Sequence, residues 1–226
     1  MRHNERRQEI YLFYSLLFDI LFVSGESFVI DITQDYAETI FAVLTGIGLS
    51  AACGFRVFVP LLALNLAFRF GYVNLASGFE WIGGNYAAIA FTLAAALEII
   101  AYYVPWLDNI MDAIASPVCI IAGTIATASV ITEMPPSLKW IVSIIAGGGI
   151  AGVLQGGTVA LRTKSSLFTG GAGNVAVATL ELAGSVITSI LSILLPVIAF
   201  IIAAAFAVYC LLRAGRVFFR KMKGSS

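Results

Sequence analysis

Gly46-Ile-Gly-Leu-Ser-Ala-Ala-Cys-Gly-Phe-Arg-Val-Phe-Val-Pro60 is a hydrophobic segment interrupted by glycines, with an arginine inside it and a proline shortly after. Glycine weakens a helix by about 1 kcal/mol relative to alanine, and proline both removes a donor and clashes with the preceding turn. The segment therefore reads as a broken membrane-spanning helix. A counterpart lies downstream in Gly147-Gly-Gly-Ile-Ala-Gly-Val-Leu-Gln-Gly-Gly-Thr-Val-Ala-Leu-Arg162. Gly46, Ser50 and Gly54 recur every fourth position, and so do Gly148, Gly152 and Gly156, a spacing that lets helix backbones approach closely. Two matched broken spans point to a protein of two related halves.

Composition agrees with a membrane setting. Of 226 residues, 60% are hydrophobic and only 12% charged, and the mean hydropathy is +0.96, which excludes an ordinary soluble domain. Arg2, Arg6 and Arg7 at one end and Arg213, Arg216, Arg220, Lys221 and Lys223 at the other place both termini on the cytoplasmic side of the inner (plasma) membrane. Cys53, Cys119 and Cys210 sit in apolar spans and have no disulfide or zinc spacing. His3 is the only histidine, so no histidine-based site is expected.

The expected fold is all-α, with six transmembrane helices in two inverted three-helix repeats, preceded by an interfacial N-terminal helix over residues 10–23. Residues 1–38 form an N-terminal extension with an acidic linker, 39–132 the first repeat, 138–212 the second, and 213–226 a basic cytoplasmic tail. Consecutive prolines in Glu133-Met-Pro-Pro-Ser-Leu-Lys139 divide the halves. Residues 162–173 read as a cytoplasmic loop. Leu97-Glu98 aligns with Leu180-Glu181 and Pro117 with Pro196, at offsets that shrink from 102 at the glycine ladder to 79 at the prolines. Three spans per half is odd, so the second half is inverted and the two ladders and two glutamates meet near the midplane.

The chemistry follows from burial. Arg56 lies deep in a span, where an unpaired charge costs several kcal/mol. Its expected partners are Glu98 and Glu181. The site expected around them comprises Gly54, Arg56, Glu98, Gln155, Gly156, Gly157, Asn174 and Glu181, with positive charge from Arg56 alone because Thr158 occupies the matching position. The glycines at 147–149 and 156–157 exceed what packing needs and are expected to unwind, exposing backbone groups to a solute or ion. Thr169-Gly-Gly-Ala-Gly-Asn174 opens the next span, either as a nest of amides or as a flexible loop that Asn174 caps. Asp108 and Asp112 share a helix face, a spacing suited to magnesium or to ordinary dipole compensation.

Together, Gly54-Phe-Arg-Val-Phe-Val-Pro-Leu-Leu62, Gly78-Phe-Glu-Trp81, Leu97-Glu-Ile99, Pro105-Trp-Leu-Asp108, Asp112-Ala-Ile114 and Gly171-Ala-Gly-Asn174 with Glu181 resemble the bacterial membrane family catalogued as domain of unknown function 4126. The resemblance covers about residues 39–212 and implies no established activity. That family's pattern often places an Asp-Lys pair where Tyr102 and Tyr103 stand here.

The leading functional expectation is a small secondary transporter or channel for an anionic or zwitterionic solute, with proton coupling through the glutamates. The alternative is a non-transporting scaffold or assembly partner, and a metal-dependent membrane enzyme is the minor one. No cofactor or bound metal is expected. The expected partners are the lipid bilayer and a small-molecule or ion substrate, with a second copy of the chain left open and nucleic acid excluded.

Overall fold

The break is where the glycine and proline place it. In the computed structural model, which describes residues 27–104, 107–170 and 172–223, helix α1 runs Ser27–Cys53 and α2 resumes at Phe58–Phe70. Pro60 falls in the first turn of α2, where its missing N–H would have had no intrahelical partner in any case. A loop with a short 3₁₀ turn at Glu80–Gly83 leads to α3 (Asn85–Tyr102) and α4 (Leu107–Val130). The double proline follows, its first member Pro135 ending the connection and its second opening α5 (Pro136–Thr169). The chain then forms α6 (Asn174–Leu194) and α7 (Pro196–Lys223).

Five of these helices are long and apolar enough to cross a membrane: α3, residues 110–130 of α4, α5, α6 and residues 196–216 of α7. Residues 37–53 and 58–70, on either side of the break, are shorter apolar helices. The interfacial helix expected over residues 10–23 lies outside the described residues.

α1 is the hub. It packs against α4, α6 and α7 and against α5 from Ser143 onward. Its sequence permits this because Gly46, Gly48, Ser50, Ala51, Ala52 and Gly54 leave little side chain on any face. A methyl group on Gly46 would lie 2.9 Å from the backbone Cα of Thr127, and one on Gly54 would lie 2.7 Å from the Ala151 carbonyl oxygen. In the outer helices, large apolar residues face outward, as Tyr86, Ile89, Leu93, Leu97 and Ile100 do on α3. The inward stripe of α3 is Ala87, Phe91, Ala95, Glu98 and Tyr102, which sets a carboxylate and a phenol one turn apart on one buried face.

Several elements depart from expectation. The glycines at 147–149 do not break the helix; it widens to a π turn over Ser143–Gly148 and continues as an α-helix over Gly149–Thr169. The face turned to α1 is Gly147 and Ala151, one residue out of step with the expected ladder. Ser50 Oγ donates to the Gly147 carbonyl, and Gly148 and Gly152 pack instead against Thr124 and Ile120. Residues 162–169, expected as loop, are helical, and so are residues 213–223 of the expected tail. In both places the charges that lower the hydropathy do not stop a helix, because no proline or β-type turn interrupts the backbone.

The helix contacts match an exchange of halves only in part. α1 packs on α4 and α7, and α5 correspondingly packs on α7 and α4. α1 also packs on α6, but the corresponding place of α3 is taken up with α2. Pro117 lies inside α4, whereas Pro196 begins α7.

Candidate functional site

Four helices and the break between α1 and α2 bring charge to one place. Arg56 lies in the break between α1 and α2 and is 1% exposed. Glu98 and Tyr102 come from α3, Asp112 from α4, Arg162 from α5 and Glu181 from α6. Glu181 is seven residues into α6, about 10 Å, and Arg162 is seven residues before the end of α5. The cluster therefore sits about a third of the way along α6, towards the end where α5 stops and α6 starts.

The two glutamates do different work. Glu98 accepts the backbone N–H groups of Val57 at 2.8 Å and Phe58 at 3.1 Å, so its carboxylate caps the first turn of α2. Interrupting a helix inside a membrane leaves donors that water cannot satisfy, and Glu98 supplies the acceptor, with the helix dipole adding to the attraction. No ion pair joins Glu98 to Arg56 within 4 Å among the described residues, so only one of the two expected partners of Arg56 binds it. That partner is Glu181, whose Oε2 lies 3.6 Å from Arg56 Nη2. The same nitrogen donates to the Ala178 carbonyl at 3.0 Å.

Arg56 is not the sole positive charge. Arg162, 3% exposed, pairs with the same Glu181 oxygen and with Asp112 Oδ1 at 2.5 Å. Both guanidiniums lie over the Tyr102 ring, at 3.8 Å for Arg56 and 4.2 Å for Arg162. The aromatic face is the negative part of the ring's quadrupole and disperses some of the repulsion between the two cations. Tyr103, next along, shares a hydrogen bond of 2.9 Å with Thr179 Oγ1. Arg56 Nε and Nη1, Arg162 Nε and Glu181 Oε1 have no hydrogen-bond partner among the described residues. Such orphans are expensive in a low-dielectric interior, which makes this cluster the most polar unfinished point in the described helices.

The remaining expected residues lie around it at varying distance. Gly54 sits at the break against Ala151 and Leu154. Gln155 is buried seven residues before Arg162, and among the described residues no hydrogen bond joins its side chain to the cluster. Gly156 is exposed with open space where a side chain would stand, and Gly157 packs against Cys210; neither borders the charges. Asn174 is buried two turns before Glu181 on the same face of α6, and its amide donates to Ser166 Oγ at 2.8 Å, so it ties the ends of α5 and α6 together. The cap position of α6 is Gly173, whose N–H goes to Thr169 Oγ1 at 2.8 Å, while Gly170 closes α5 in the left-handed region at φ 62°. Asp112, read with Asp108 as a magnesium pair or a dipole partner, is engaged by Arg162. The Asp108 side chain lies outside the described set.

Beneath Glu181, the buried face of α6 continues with Ser185, Ser189 and Ser192. Ser185 donates to the Ala52 carbonyl at 3.1 Å, while Ser189 and Ser192 donate to the carbonyls one turn back. These hydroxyls let α6 lie close to the small face of α1.

A broken helix, five helices long and apolar enough to cross a membrane, and a buried charge cluster define this chain as an α-helical membrane protein. The family described as domain of unknown function (DUF4126) matches residues 43–215, and the chain belongs to it. No curated protein and no solved structure matches the chain.

Proposed function

We propose that the protein is a small secondary transporter or channel for a compact anionic or zwitterionic solute, and that it is not an enzyme. The observation that carries this reading is Arg56, 1% exposed at a helix break, with Nε and Nη1, and a Glu181 oxygen beside it, finding no hydrogen-bond partner among the described residues. A solute with an oxyanion and, if zwitterionic, an ammonium group matches these donors and this acceptor. The break itself is not free to bind the solute, because Glu98 already occupies the α2 N-terminus. In this reading the 37–53 and 58–70 helices together make one interrupted crossing. With the five long helices that gives six, in two inverted halves with both termini on the cytoplasmic face.

A scaffold role is the second reading, favoured by the fact that Glu98 and Glu181 both already hold partners. The two readings separate by binding. In detergent, millimolar small carboxylates and amino acids are expected to raise the unfolding temperature of the wild-type protein and to leave Arg56→Gln unmoved. A panel that shifts neither protein, or shifts both equally, removes the site from the proposal.

A further inference from the structure

We infer that the ionic network is a latch between the two halves, holding closed the end of the bundle where α3 ends and α4 begins and where α5 ends and α6 begins. This rests on the transport reading, since only a protein with alternating openings needs one end closed. The warrant is which residues pair. Residues 27–130 precede the double proline and residues 136–223 start from its second member, and the contacts that tie Arg56, Tyr103 and Asp112 join one set to the other. Arg56 reaches Glu181 and the Ala178 carbonyl, Asp112 reaches Arg162, and Tyr103 reaches Thr179. Tyr102, from the first half, lies under both arginines. The exceptions are Arg162–Glu181, which joins α5 to α6 within the second half, and the bonds of Glu98 to Val57 and Phe58 within the first.

The order along the helices also fits a closure. Asp112 has a side chain 12% exposed, whereas Arg162 and Glu181 are 3% and 4% exposed, so the network runs inward from its most accessible member. Deeper than Glu181 on the same face, Ser185 is fully buried against Ala52. A latch of this kind opens by exchanging partners. A solute oxyanion that took the arginines would release Glu181 and with it the link to Arg56. Loss of the Asp112 charge would leave Arg162 held by Glu181 alone and loosen the α4–α5 link. Tightly packed apolar faces alone would not respond to either change.

The test uses Ser185→Cys as a reporter in full-length protein with Cys53, Cys119 and Cys210 replaced by alanine, in membranes sealed with the latched end, where α6 begins, facing the reagent. A membrane-impermeant maleimide is expected to label Cys at 185 slowly in this background. Asp112→Asn should speed labelling about tenfold, the change produced when about 1.4 kcal/mol is removed from a closed state. Asp112→Glu keeps the charge and should retain most of the protection. Tyr103→Phe removes one inter-half hydrogen bond at the partly exposed rim and should give a smaller acceleration. Equal labelling rates in the background and in a folded Asp112→Asn or Tyr103→Phe protein would overturn the latch. The readout does not depend on transport: labelling that responds as expected in a protein that carries no solute would overturn the transport reading and leave the closure standing.

Discussion

Arg162 shows what tertiary pairing adds to a side chain. In Leu161-Arg-Thr-Lys-Ser-Ser166 the drop in hydropathy reads as the end of a span, yet Arg162 is 3% exposed and holds two carboxylates. Removing one member of a buried pair leaves the other uncompensated, typically at a cost of about 3–5 kcal/mol. Arg162→Gln, which strips Glu181 of its nearest cation, is expected to lower stability by about 3 kcal/mol. Asp112→Asn should cost about 1 kcal/mol, because the Asp112 side chain is partly exposed and Arg162 keeps Glu181. Thermal unfolding of both variants in one detergent ranks them, and equal losses would contradict the assignment of Arg162 as the centre of the network. Glu98→Ala removes the acceptor of two backbone donors and should cost about 2–4 kcal/mol, with hydrogen exchange at Val57 and Phe58 rising ahead of the rest of α2. Arg56 and its partner Glu181 were legible from depth and charge alone. The capping role of Glu98 was not, since it depends on where the break points its N–H groups, and the stacking role of Tyr102 was hidden because an aromatic near a span's end reads as an ordinary interface residue.

At the scale of elements, the two glycine ladders look alike in sequence and differ in the fold. Gly46 and Gly54 meet backbone or Cβ atoms within 3 Å of where a methyl would stand, whereas Gly156 meets nothing within 4 Å. Gly46→Ala should therefore destabilise by about 1–3 kcal/mol through overpacking of α1 on α4. Gly156→Ala should be neutral or stabilise by up to about 1 kcal/mol, as alanine is the better helix former on an open face. Opposite ordering of the two in a thermal unfolding series would contradict the packing of α1. The break after Cys53 was readable because glycine, a buried arginine and Pro60 coincide, and three such signals rarely serve a continuous helix. No proline follows Gly147-Gly-Gly149, and the chain there absorbs its glycines as a π turn, a one-residue adjustment that spacing does not announce. A one-residue shift was enough to turn Gly147 rather than Gly148 to α1.

The whole molecule is a bundle with apolar flanks, a hub helix of small residues and a charge cluster a third of the way in. The flanks and the hub follow from composition and from the fourth-residue spacing of Gly46, Ser50 and Gly54. The depth of the cluster was not legible, because the inverted alignment sets Glu98 against Glu181 at mid-bundle. In the fold their positions are fixed separately, one by the α2 N-terminus and the other by two arginines. The central claim is that these arginines and Glu181 form the binding site of a solute carrier. It is tested most directly by uptake of labelled small carboxylates and amino acids into proteoliposomes carrying wild-type protein, Arg56→Gln or Glu181→Gln. Each variant is first checked for a monodisperse elution profile. Wild-type uptake above that of empty liposomes, lost in both folded variants, is the predicted result. Uptake that persists unchanged in folded Arg56→Gln and Glu181→Gln would contradict it.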